Sequence, residues 1–192
     1  MTHSTGNTLA GFDIRIDSEG RSPGVHLSDV LSLMDPNILP NASNRIPKLV
    51  EDHAGAEGAS PDLCKIALGL AWEEWYGRQL ERSIPTFRYH PGEIEQDGII
   101  CTPDGIEMDG GIPAARVRVL HEIKATFGPD LSIKPRWLQQ VMAYCHVIGC
   151  ASARIHVYWV IMPQVTVTAL EFEAAELSGL WDEILMYKKL IR

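Results

Sequence analysis

The chain has 192 residues, 45% of them hydrophobic and 22% charged, with a formal net charge of −8. Those values fit one folded domain with a full core and exclude a disordered chain. No apolar run approaches the roughly 20 residues that span a bilayer, and the acid excess argues against broad, non-specific adhesion to nucleic acid.

The first 58 residues are broken throughout by Gly, Ser, Asn, Asp and Pro. Within them only "HLSDVLSLM" (26–34) has helical spacing, with Leu27, Val30, Leu31 and Met34 on one side. Residues 1–58 therefore read as an arm or lid outside the core layer, available to a second copy or a protein partner, and 59–192 as the folded domain. The first twenty residues have neither a basic n-region nor an apolar h-region, so no secretory signal and a cytoplasmic location are expected. Cys64, Cys101, Cys145 and Cys150 have no C-x-x-C spacing and read as reduced thiols, most of them in apolar elements.

From Ser60 the pattern is regular. Ser60 caps a helix, Pro61 takes its first position and Asp62 its first turn, with Leu63, Ile66, Ala67 and Leu70 as the buried stripe. "GIICT" (98–102) is a short strand ended by "PDG", and "DGGIP" is a hairpin connection into the alternating strand "ARVRVLHEIKA" (115–125). "SIKPRWLQQVMAYCHVIG" opens on a cap and a proline and closes on Gly149, with Trp137, Val141, Tyr144 and Ile148 on one face. Two strands follow, 153–162 and 164–172, and then a helix with Leu177, Leu180, Trp181, Ile184 and Leu185 as its stripe. The order predicts an α/β (α+β) fold, with a central mixed sheet flanked by helices.

The chemistry begins at "HEIKAT" (121–126). Glu122 and Lys124 lie two apart on a strand and so point to one face. A carboxylate that holds a hard cation beside an ammonium that orients water suits phosphodiester hydrolysis, and an exposed ion pair would use the same residues. Asp104, in "TPDGI", falls one hairpin earlier, where plain turn chemistry also explains it. Glu73 sits on or beside the helix stripe, where a carboxylate needs a partner or a metal, and Glu74 flanks the other side. Gln140 and Tyr144, four apart, share a helical face.

In order, the chain carries Gly69-x-x-x-Glu73, Pro103-Asp104, Glu122-Ile123-Lys124 and Gln140-x-x-x-Tyr144. The series resembles the PD-(D/E)XK nuclease superfamily, in its RecB-like and lambda-type exonuclease branch, over residues 60–165. The resemblance implies a restriction-endonuclease-like core and a Mg²⁺- or Mn²⁺-dependent nuclease acting on DNA, with ends the expected target, in phage or bacterial recombination or processing. It implies Asp104, Glu122 and the Ile123 carbonyl as metal ligands and Glu73 as the helix-borne acid of the metal site. Lys124 would position or activate water, with Gln140 and Tyr144 in support. Lys134, Arg136 and the helix N-terminus after them offer phosphate contacts, and Trp137 either stacks on a base or joins the core.

Some RecB-like relatives carry an iron–sulfur cluster with three cysteines after the Q-x-x-x-Y helix. Here only Cys150 lies beyond that motif, so no cluster is expected. Two other readings rank lower. One is an idle nuclease-fold scaffold serving as a binding or assembly subunit, possible in a virion. The other is a zinc hydrolase built from His53, Cys64, Cys101 or His121, which lack ligand spacing.

Overall fold

The structure is a computed structural model that describes residues 8–9, 12–13, 23–34, 63–109 and 116–191. In chain order the elements are strands β1 (Thr8–Leu9) and β2 (Phe12–Asp13), helix α1 (Leu27–Met34) and helix α2 (Leu63–Ser83). Strands β3 (Phe87–Tyr89), β4 (Ile94–Gln96), β5 (Ile99–Cys101), β6 (Gly105–Met108) and β7 (Val117–Thr126) follow. Helix α3 (Pro135–Ile148), strands β8 (Ser152–Trp159) and β9 (Gln164–Glu171), and helix α4 (Ala174–Lys188) complete the fold.

The main sheet has the order β3-β6-β7-β8-β9. Its pairs are antiparallel except β7 with β8, which run parallel and are joined through α3, as parallel neighbours require a crossover. The expected mixed sheet flanked by helices is therefore what forms. Helix α3 follows its signals: Pro135 starts it, and Gly149 ends it with φ +76° while donating to the Cys145 carbonyl. Its N-cap is Lys134, without a side-chain cap bond.

Strand β7 lies in the middle of the sheet, and Val119 through Ile123 are all buried. Its alternating sequence does not mean a wet face: Glu122 has no exposed side-chain surface, which overturns the reading of an exposed ion pair. The main core lies on one side of the sheet and gathers α1, α3 and α4 around residues such as Leu120, Val141, Ile155, Trp159 and Ile184. A smaller cluster of Phe87, Tyr89 and Ile123 is covered by Trp72, Tyr76, Leu80 and Ile84 of α2 and the turn after it.

Two expectations are corrected. Residues 27–34 belong to the core: Leu27, Val30, Leu31, Leu33 and Met34 are buried, and the segment just before α1 is tied to β5 by the Ile100 N–H on the Val25 carbonyl at 2.8 Å. The helical spacing holds, but the helix's partners, β5, α3 and α4, are elements far along the chain. The rest of the 1–58 segment, apart from β1, β2 and residues 23–26, is outside the described residues, as are Ser60, Pro61, Asp62 and most of "DGGIP". The second correction concerns α2. Leu70 is 46% exposed, and the helix docks instead through Trp72, Tyr76, the buried Gly77 and Leu80. The side chains of Leu63 and Ile66 lie outside the described residues.

Candidate active site

Asp104 ends the turn before β6, and its Oδ2 accepts the backbone N–H of Ile123 at 2.7 Å. That bond sets it against β7, beside Glu122. On β7, Lys124 Nζ makes an ion pair with Glu122 Oε1. The ammonium is the donor to Oε1, while the equally buried Oε2 has no hydrogen-bond donor. Burial, and after it the Glu122 charge, raises the Asp104 carboxyl well above its ordinary range, against the pull of Lys124 and the Ile123 N–H. Burial also raises Glu122 in spite of Lys124. Lys124 is the reverse case: burial would lower it, but the charges of Glu122 and Asp104 hold it above its ordinary value, as an ammonium.

Helix α2 brings Glu73 to the same end of the sheet. Glu73 lines a cleft of about 560 Å³ with Lys65, Gly69, Leu70, Lys124, Phe127 and Lys134. Its charge is felt by both Asp104 and Glu122. Glu74 points elsewhere and pairs with Arg78 at 2.9 Å in solvent, so Glu73 is the acid of this helix that faces the site. Among the described residues no three His, Cys, Asp or Glu side chains close into a metal-holding group. The carboxylates form an open pair, Asp104 and Glu122, with Glu73 standing off.

That pair fits a hard divalent cation. A fully buried carboxylate whose Oε1 meets only Lys124 and whose Oε2 has no donor is a costly arrangement in a folded protein. Magnesium sites use one or two carboxylates and leave the other positions to water and substrate phosphate. From α3, Gln140 Nε2 donates to the Tyr144 hydroxyl at 3.0 Å. Burial and the Glu122 charge raise the Tyr144 phenol, so it keeps its proton facing the acids.

The three basic and aromatic candidates separate. Lys134 lines the cleft, donates to Thr126 Oγ1 at 3.3 Å and lies 4.7 Å over the Trp137 ring. Arg136 turns to α1, donating to the Ser28 carbonyl at 3.1 Å and to Ser32 Oγ at 2.7 Å. Trp137 packs against the main core.

His90 is a neighbour that sequence reasoning missed. Its N–H donates to the Asp104 carbonyl at 2.9 Å, and its Nε2 lies 3.1 Å from Glu73 Oε1. It holds φ +48°, a left-handed conformation uncommon for a side-chain-bearing residue, though His is among those enriched there. The signal was the turn sequence His90-Pro91-Gly92. Phe127, with Lys65 Nζ 5.6 Å above its ring, was also missed, because nothing in "ATFGPD" marks a cleft wall.

By sequence, no family profile and no curated protein matches the chain. By structure it is similar to an alkaline exonuclease, LHK-Exo, from Laribacter hongkongensis. The crystal structure of that protein in complex with dAMP gives a TM-score of 0.62 at 17% identity, and a second crystal structure gives 0.61 at 16%. In both, 88% of this chain and 87% of the other are covered. A phage-related exonuclease from Haemophilus somnus 129PT gives 0.55 at 12% identity, over 88% of this chain and 95% of the other. At these identities the likeness is one of fold. The chain has the fold of these exonucleases, with the restriction-endonuclease-like core that the motif series implied.

Proposed function

We propose that this chain is a divalent-cation-dependent nuclease that hydrolyses DNA phosphodiester bonds, working from strand ends. The observation that carries the proposal is the Asp104–Glu122–Lys124 group: two mutually disfavoured carboxylates and an ammonium, beside a cleft that Ile123 and Lys124 line, with Glu122 Oε2 buried and without a donor. The shared fold with proteins described as exonucleases supports it. The phage-related neighbour supports a place in phage or bacterial DNA processing.

Asp104 and Glu122, with the Ile123 carbonyl, would hold Mg²⁺ or Mn²⁺. A cation bound there supplies charge stabilisation for in-line displacement at phosphorus. Lys124, kept as an ammonium, orients the attacking water and faces charge developing on the phosphate. Tyr144, already accepting from Gln140, donates its hydroxyl hydrogen into the site. Glu73 and its partner His90 close the α2 side. Lys65 and Lys134 give the cleft walls positive charge for the phosphate backbone. With the cation in place the acids no longer repel one another, which explains why an overall acidic protein can grip a polyanion locally.

The test uses linear and circular DNA, single- and double-stranded, with Mg²⁺, Mn²⁺ or EDTA. Metal-dependent loss of linear DNA alone is the expected result. Cutting of circles would replace the end-directed reading with an endonuclease. No cleavage by folded protein would favour a binding subunit on a nuclease scaffold.

A further inference from the structure

On the α2 side of the sheet, away from Lys124, a chain of polar side chains is buried. Glu107 on β6, His121 on β7 and His156 on β8 are 2%, 0% and 3% exposed. Glu107 Oε1 lies 2.9 Å from His121 Nε2, His121 Nδ1 lies 2.9 Å from His156 Nε2, and His156 Nδ1 lies 3.1 Å from the Tyr76 hydroxyl of α2. Arg118 and Arg154 bind Glu107 at 2.5 and 2.7 Å and keep it an anion.

Each joint of this chain lies within three residues of a site residue, along the chain or across the sheet. Tyr76 comes one helical turn after Glu73, Glu107 three residues after Asp104, and His121 immediately before Glu122. His156 is in register with Ile123, the residue whose N–H binds Asp104. Apolar packing alone lets a helix slide by fractions of an ångström over a sheet, whereas consecutive hydrogen bonds near 3 Å admit one placement. A catalytic constellation must be held to about 0.5 Å.

We propose that the chain Tyr76–His156–His121–Glu107 is the positioning device of the site, locking α2, β6 and β7 so that Glu73, Asp104 and Glu122 stand at their working separation. The inference rests on the metal-nuclease reading given above. Its hydrogen bonds run one way. Glu107 can only accept, so His121 carries its hydrogen on Nε2. Its bare Nδ1 then accepts from His156 Nε2–H, and His156 Nδ1 accepts from the Tyr76 hydroxyl. Burial lowers both imidazoles, His121 to about 4 and His156 to about 3, consistent with two neutral rings. Tyr76 is held independently by stacking on Trp72, with ring centres 4.8 Å apart, so loss of its hydroxyl removes the bond and leaves the ring in place.

The test is Mn²⁺ binding by calorimetry to wild type, Tyr76→Phe and His156→Asn, together with ¹⁵N NMR of the imidazoles in wild type. His156→Asn keeps an acceptor for Tyr76 but cannot reach His121, so it breaks a second joint if the first variant folds poorly. The expected result is two Nε2–H tautomers in wild type and Mn²⁺ affinity weakened on the order of tenfold in each folded variant, the scale of outer supports of metal ligands. DNA affinity in EDTA should stay within about twofold, as expected for a change outside the cleft. Unchanged Mn²⁺ affinity in a folded variant, or an Nδ1–H His156 in wild type, would overturn the positioning role while leaving the nuclease reading intact. Absence of Mn²⁺ binding by wild type would sink the metal reading itself, and this inference with it.

Discussion

Asp104 Oδ2 takes the Ile123 N–H at 2.7 Å, so the first acid of the site is bonded to the strand that carries the second. The consequence is proximity of two carboxylates that neither solvent nor a full set of donors relieves.

Stability in the absence of metal should reveal that tension. Burial, and then the Glu122 charge, raises Asp104 above its unfolded value. A raised acid contributes stability fully below its unfolded pKa and loses it as pH rises through the folded pKa. Asp104→Asn keeps an acceptor for Ile123 and cannot ionise. In EDTA its melting temperature should exceed that of wild type by more at about pH 8 than at about pH 5. A pH-independent difference would contradict the coupling.

Lys124 should matter for folding as well as for chemistry. Lys124→Met keeps the stem and removes the charge facing the buried Glu122. Breaking a wholly buried pair costs about 3–5 kcal/mol; because Lys124 is 22% exposed and Glu122 can take up a proton, about 2 kcal/mol is expected. Urea unfolding at neutral pH measures it, and the cost should shrink in acid.

Two glycines of α2 should behave oppositely. A Cβ on Gly77 would stand 2.3 Å from the Tyr89 ring, so Gly77→Ala should destabilise by about 1–3 kcal/mol and shift the helix that carries Glu73. A Cβ on Gly69 meets nothing within 4 Å, so Gly69→Ala should stabilise by up to about 1 kcal/mol. Thermal melts of both variants decide it.

The two cations at the start of α3 should also part company. Lys134→Ala should weaken DNA binding and reduce the salt slope by about one counterion. Arg136→Ala, whose guanidinium is held by Ser28 and Ser32 of α1, should cost about 1 kcal/mol of stability and leave the salt slope unchanged. Fluorescence anisotropy over a salt series separates them.

How far these features could be read from the sequence depended on distance along the chain. Helix α3 was bounded by Pro135 and Gly149, which act within one turn of themselves. Glu122 and Lys124 were on one face of a strand whichever sheet it joined. By contrast, Leu70 fits a buried stripe by spacing yet lines a cleft, since periodicity marks a face without saying what covers it. Strands β3 and β4 are three residues each, too short to show a period. Helix α1 read as an isolated amphipathic turn because its partners, α3, α4 and β5, lie far along the chain. The Tyr76–His156 bond spans 80 residues, and no local pattern announces it.

The most direct measurement is single-turnover cleavage of end-labelled linear duplex by wild type, Asp104→Asn and Lys124→Ala, with and without Mg²⁺, each variant first shown to be folded. The account predicts hydrolysis by wild type only with the metal, and a fall of at least about a hundredfold in both variants. Cleavage that survives in EDTA, or that either variant retains in full, would contradict it.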